Sequence, residues 1–105
     1  MVVTDGLGRE IVPAWIKSGR KVVTIAGSRV QLAASAQCNR VILAAAVGNT
    51  GAIVVGGSDV VAEASSRAGV PLYAGDSMSI NVSNLNLVYI DAEKNGEGVT
   101  FMYLG

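Results

Sequence analysis

Short runs of valine, isoleucine and leucine, each cut off after a few residues by glycine or asparagine, are the feature that most constrains this chain. Branched side chains of this kind pack well on a pleated sheet, and glycine and asparagine accept the backbone angles of tight turns. Thirteen glycines stand against two prolines in 105 residues, so the punctuation is frequent. The rhythm is one of strands and turns, and it predicts an all-β fold: an antiparallel β-sandwich, jelly-roll-like, with an extended N-terminal arm. Strands are expected over residues 21–25, 30–32, 39–46, 52–55, 77–82, 87–91 and 99–104, each near the usual strand length.

The cleanest period lies in Ser77-Met78-Ser79-Ile80-Asn81-Val82. Strict alternation puts Met78, Ile80 and Val82 on one side of a sheet and the polar residues on the other. Residues 41–47 are apolar at every position, which suits a central strand covered on both faces or buried in a subunit contact. Gly48-Asn49-Thr50-Gly51 reads as a hairpin turn joining that strand to residues 52–55, and Asn95-Gly96-Glu97-Gly98 as a second hairpin joining residues 87–91 to 99–104. Residues 60–69 fit either a short helix or a wandering loop. Residues 69–76 read as an extended lead-in and a turn that launches the alternating strand.

Residues 1–20 break this rhythm. Gly6, Gly8, Pro13 and Gly19 interrupt any period there, and Ile11, Val12, Trp15 and Ile16 are among the few large side chains. This segment is read as an arm, with the sandwich domain over residues 21–105. Fully extended it reaches about 60 Å, far enough to lie across a neighbour. Its partner-binding candidates are Ile11, Trp15, Ile16, Lys17 and Arg20. A large amphipathic ring such as Trp15 can anchor in a partner's pocket or close over its own sandwich.

Composition narrows the chemistry. Half the residues are apolar and 15% are charged, enough for one compact core. There is no histidine, so none of the Ser-His-Asp, Cys-His or histidine-metal constellations can be assembled from this sequence. Its single cysteine, Cys38, allows no intrachain disulfide and reads as a packing residue more than a reactive thiol. Asp59, Asp76 and Asp91 each adjoin a turn, where aspartate commonly bonds nearby backbone, and nothing in their spacing makes two carboxylates face each other. A calcium site at Asp59 or Asp76 stays open, although no loop of the EF-hand kind is present. Residues 5–9 and 55–59 are glycine-rich but lack either phosphate-loop spacing. The sequence is thus read as a non-enzyme without a cofactor.

Eight basic and eight acidic residues cancel, so no overall field favours nucleic acid. No apolar run is long enough to span a bilayer, and neither nucleic acid nor a membrane is expected as a partner. The charges are polarised along the chain, six basic against two acidic over residues 1–40 and two against six over residues 41–105. Such asymmetry suits attraction between neighbours in an assembly or docking on an acidic surface.

An ordered series of segments carries a resemblance. It runs from Cys38-Asn39-Arg40-Val41-Ile42-Leu43 through Asn49-Thr50-Gly51-Ala52-Ile53-Val54-Val55-Gly56-Gly57-Ser58-Asp59-Val60 and Gly69-Val70-Pro71-Leu72-Tyr73-Ala74-Gly75-Asp76-Ser77. It continues with Asn84-Leu85-Asn86-Leu87-Val88-Tyr89-Ile90-Asp91 and closes with Gly98-Val99-Thr100-Phe101. Over residues 21–104 the chain resembles small virion proteins of tailed bacteriophages with a β-sandwich domain, of the capsid decoration (cement) kind. That resemblance implies a structural role on the capsid exterior, assembly in the host cytoplasm, and the major capsid protein and further copies in a homotrimer as partners. It brings no catalytic motif. A tail, neck or fibre-associated part and a carbohydrate-binding attachment module are the alternatives.

Overall fold

Alternation of side chains, broken at glycines, becomes eight strands in a computed structural model that describes residues 14–105. They are β1 (Ile16–Val23), β2 (Val30–Gln31), β3 (Arg40–Ala45), β4 (Ile53–Gly56), β5 (Val70–Leu72), β6 (Ser77–Asn81), β7 (Tyr89–Ala92) and β8 (Glu97–Leu104), with a single 3-10 turn at Leu85–Leu87. Each expected strand is present within a few residues. Three strand starts lie outside the expected bounds: β1 opens at Ile16, β8 opens at Glu97 inside the expected turn, and the short β5 occupies the predicted extended lead-in. Pro71 is tolerated there because β5 is an edge strand, where a missing N–H breaks no ladder.

The strands form two antiparallel four-stranded sheets, β1-β8-β3-β6 and β2-β7-β4-β5. First pairs with eighth, second with seventh, third with sixth and fourth with fifth. The chain is thus one long hairpin bent back between β4 and β5 and wound so that successive rungs alternate between the sheets. Val41, Leu43, Val99 and Phe101 from one sheet meet Ile53, Val55, Leu72 and Ile90 from the other in the main core. Met78 and Ile80 of β6 line the same side, as their alternation required, and Val82 packs there just past the strand.

Neither expected hairpin forms. β3 and β4 lie in different sheets, and so do β7 and β8. No residue of the Gly48–Gly51 stretch takes a positive φ, as a two-residue hairpin would demand; Gly96 does, at 78°, but its turn carries the chain from one sheet to the other. The reason lies in β4. Val54 points away from the main core and is buried with Val60 and Ala62 against Tyr89, so β4 needs cover on both faces. That cover comes from residues 57–69, which form neither a helix nor a free loop but a turn closed by the Val61–Ala68 bridge. The doubly buried strand is therefore β4, whereas β3 is buried on one face and half-exposed on the other.

The sandwich also begins earlier than residue 21. Ile16 pairs with Leu104 and Arg20 with Thr100, so residues 16–20 are five of the eight residues of an edge strand. Gly19, which reads as an interruption, is what allows the pairing: a Cβ there would stand 2.5 Å from Cζ of Phe101, whose ring lies over the strand. Of the expected arm, residues 1–13 lie outside the described residues.

Candidate functional site

Cross-strand partners in an antiparallel ladder share a face, so the register of β1, β8, β3 and β6 sorts every side chain of that sheet. Val23, Val99, Phe101, Val41 and Leu43 point into the core. The opposite face carries Ile16, Ser18, Arg20 and Val22 from β1, then Leu104, Met102 and Thr100 from β8, Arg40, Ile42 and Ala44 from β3, and Asn81, Ser79 and Ser77 from β6. Its two charges are both arginines. Ile16 is 63% exposed, Ile42 and Met102 are partly so, and Leu104 lies between Ile16 and Arg40 in register. Ser18, Ile42, Ala44, Thr100 and Met102 line a shallow depression of about 460 Å³ on this face.

Arg40 stands at one end of this face in an unusual state. Its Nε is shut off from solvent and has no hydrogen-bond partner. A buried donor without an acceptor costs about 1–3 kcal/mol, more for a charged group. Among the described residues, the one ion pair joins Arg67 to Glu93 at 3.1 Å, far along the chain from Arg20 and Arg40.

The five residues named as arm contacts are divided by the structure. Ile16 and Arg20 lie on the outer face, Trp15 and Lys17 do not, and Ile11 is outside the described residues. Trp15 closes over its own sandwich: its ring meets Tyr103 edge-on at 5.8 Å and 83°, and its backbone pairs with Gly105. Lys17 Nζ sits 5.5 Å from the Trp15 ring centroid, within reach of a cation–π attraction. The outer-face residues Ile42, Met102, Leu104 and Arg40 were missed as a surface, because an uninterrupted apolar run reads as buried on both sides. The one available signal was Arg40 at the head of that run.

The carboxylates are occupied as structural acceptors. Asp91, 2% exposed, accepts from the backbone N–H groups of Gly27 (3.0 Å), Ala62 (2.9 Å) and Ala92 (2.8 Å), tying two loops to β7. Glu97 accepts from Thr50 N–H (2.6 Å), Thr50 Oγ1–H (3.0 Å) and Gly51 N–H (2.9 Å), and these donors pull its carboxyl below the ordinary value. Glu93 accepts from Ala52 N–H at 2.7 Å, and Asp76 from Tyr73 N–H at 3.0 Å. Asp59 is exposed in the loop after β4. Cys38 is buried, its Sγ donates to the Val82 carbonyl at 3.2 Å, and burial pushes its thiol pKa up, away from reactivity. Among the described residues no three His, Cys, Asp or Glu side chains are grouped to hold a metal ion, and no helix is long and apolar enough to cross a membrane. No family model, curated protein or solved structure matches the chain.

Proposed function

We propose that this protein is a structural component of a tailed-bacteriophage virion, a capsid decoration protein that bridges neighbouring units of the major capsid protein. In this reading it sits on the capsid exterior as a homotrimer, after assembly in the host cytoplasm, and its sandwich is a jelly roll. The observation that carries the reading is a sheet face that offers apolar side chains and two arginines, a surface suited to another protein. The ordered resemblance over residues 21–104 supports the virion setting, and the strand order 1-8-3-6 and 2-7-4-5 supports the jelly roll. A protein that binds only the assembled shell stabilises it by mass action.

The test is co-sedimentation of the purified protein with mature, undecorated capsids of its source phage, counting copies bound at saturation. Saturable binding of hundreds of copies per shell is expected. Six to a few dozen copies would move the protein to the tail or neck, and no binding would overturn the capsid reading. The arm is tested by removing residues 1–13, since deletion as far as Arg20 would also take five of the eight residues of β1. Loss of attachment with an intact sandwich is expected; retained binding removes the arm from the mechanism.

A further inference from the structure

The two sheets of this sandwich are finished differently on the outside. The outer side of β4 and β7 is roofed by residues 57–69, with Val60 and Ala62 each 1% exposed beneath the roof and Asp91 pinning it. No described segment crosses the outer side of β1, β8, β3 and β6, although that side carries the exposed Ile16 and the half-buried Ile42 and Met102. Where the described residues cover one apolar face with a loop and not the other, the uncovered face is a surface for a partner.

Charge selects the occupant. Arg20 and Arg40 lie on this face, and among the described residues no carboxylate shares it and neither arginine has an ion pair. A second copy stacked face to face would set arginine against arginine with nothing to neutralise them. The complementary surface is an apolar patch flanked by carboxylates. Arg40 adds a physical reason: its Nε is already dehydrated and unpaired, so part of the desolvation cost of a guanidinium–carboxylate pair has been met before the partner arrives. Such pairs are also strong, because the planar guanidinium matches a carboxylate with two parallel bonds.

We infer that the outer face of the β1-β8-β3-β6 sheet is the docking surface for a different protein, one that presents apolar side chains between carboxylates, with Arg20 and Arg40 taking the carboxylates and Ile16, Ile42 and Met102 the apolar centre. That this partner is the shell protein rests on the virion reading; the face itself does not.

Two assays separate these claims. The first repeats the capsid co-sedimentation with Ile42→Thr, Arg40→Glu and Arg20→Glu, and with Leu87→Thr as a control at an exposed position off this face. The second titrates the same proteins, under conditions where circular dichroism shows them folded, with 1-anilinonaphthalene-8-sulfonate, an apolar ring system bearing one anion. Arg20 is exposed, so Arg20→Glu decides the matter even if a β3 variant does not fold. Binding at least tenfold weaker for the face variants in both assays, with L87T unchanged, is expected. Capsid binding that survives the face variants overturns the docking surface and leaves the virion reading standing. If the wild type binds no capsid, the virion reading falls, and the dye decides the face: loss confined to the face variants supports it, whereas no dye binding, or equal loss in L87T, overturns it.

Discussion

The outer faces of the two sheets begin from similar material and end in opposite states. Val54 on β4 and Ile42 on β3 are both branched apolar residues that point away from the main core. Val54 is fully buried and Ile42 is not. The difference comes from elsewhere in the chain: 13 residues between β4 and β5 fold back over Val54, and no described segment does the same for Ile42. Hydrophobic burial is thus decided by connections as much as by strands. What holds the roof is polar, since Asp91 accepts three backbone N–H groups from two loops and its own strand.

The contrast can be broken at its strongest point. Replacing Asp91 by alanine leaves the Gly27, Ala62 and Ala92 N–H groups without their acceptor, and a loss of about 3–5 kcal/mol is expected from charge-assisted bonds removed in a buried setting. Urea unfolding followed by far-ultraviolet circular dichroism measures it; a midpoint equal to wild type would mean that the roof is held by its apolar contacts alone. Gly19→Ala comes next. The added methyl meets the Phe101 ring, and overpacking of this kind costs about 1–3 kcal/mol. The same unfolding curve reads it, with Ser18→Ala as the neutral neighbour.

A paired truncation sharpens the comparison further. Val60→Ala, under the roof, is expected to cost about 1.5 kcal/mol, while Ile42→Ala on the bare face is expected to cost under about 1 kcal/mol in the free protein. Equal losses would mean that the bare face is covered in solution. The smallest effect belongs to Glu97, which straps the β3–β4 connection to β8 from a half-buried position. Its folded carboxyl titrates below the ordinary 4.5, so its contribution is complete above that value and disappears as the pH falls through the folded pKa. Glu97→Gln should therefore be less stable than wild type near pH 6 and match it more closely near pH 3. A gap independent of pH would exclude the carboxylate as the cause.

Much of the sheet structure was legible because alternation is a local property. Ser77 to Val82 needed no more than its own six residues to declare which side faced the core. The expected hairpins differ from the observed connections because a turn motif reports where the chain bends and not which sheet it enters. Gly48 to Gly51 bends the chain in either case, and the burial demanded by Val54 sends it across to the other sheet. The edge strand was cut short at residue 21 because Gly19 looks the same in sequence whether it ends a strand or makes room for a distant ring. The Phe101 ring that settles the matter is 82 residues away.

Of the docking face, sequence contained the parts and not the surface. Arg20, Arg40, Ile16, Ile42 and Met102 come from three segments, and only the register of β1, β8 and β3 places them on one side of one sheet. The sequence by itself determined an all-β chain, through branched runs cut by turn residues, and a chemistry without histidine or an intrachain disulfide. Tertiary structure decided which strands are neighbours, which face is roofed, and which carboxylates are spent on backbone N–H groups. Those outcomes depend on contacts between residues far apart in the chain, and a local pattern holds no record of them.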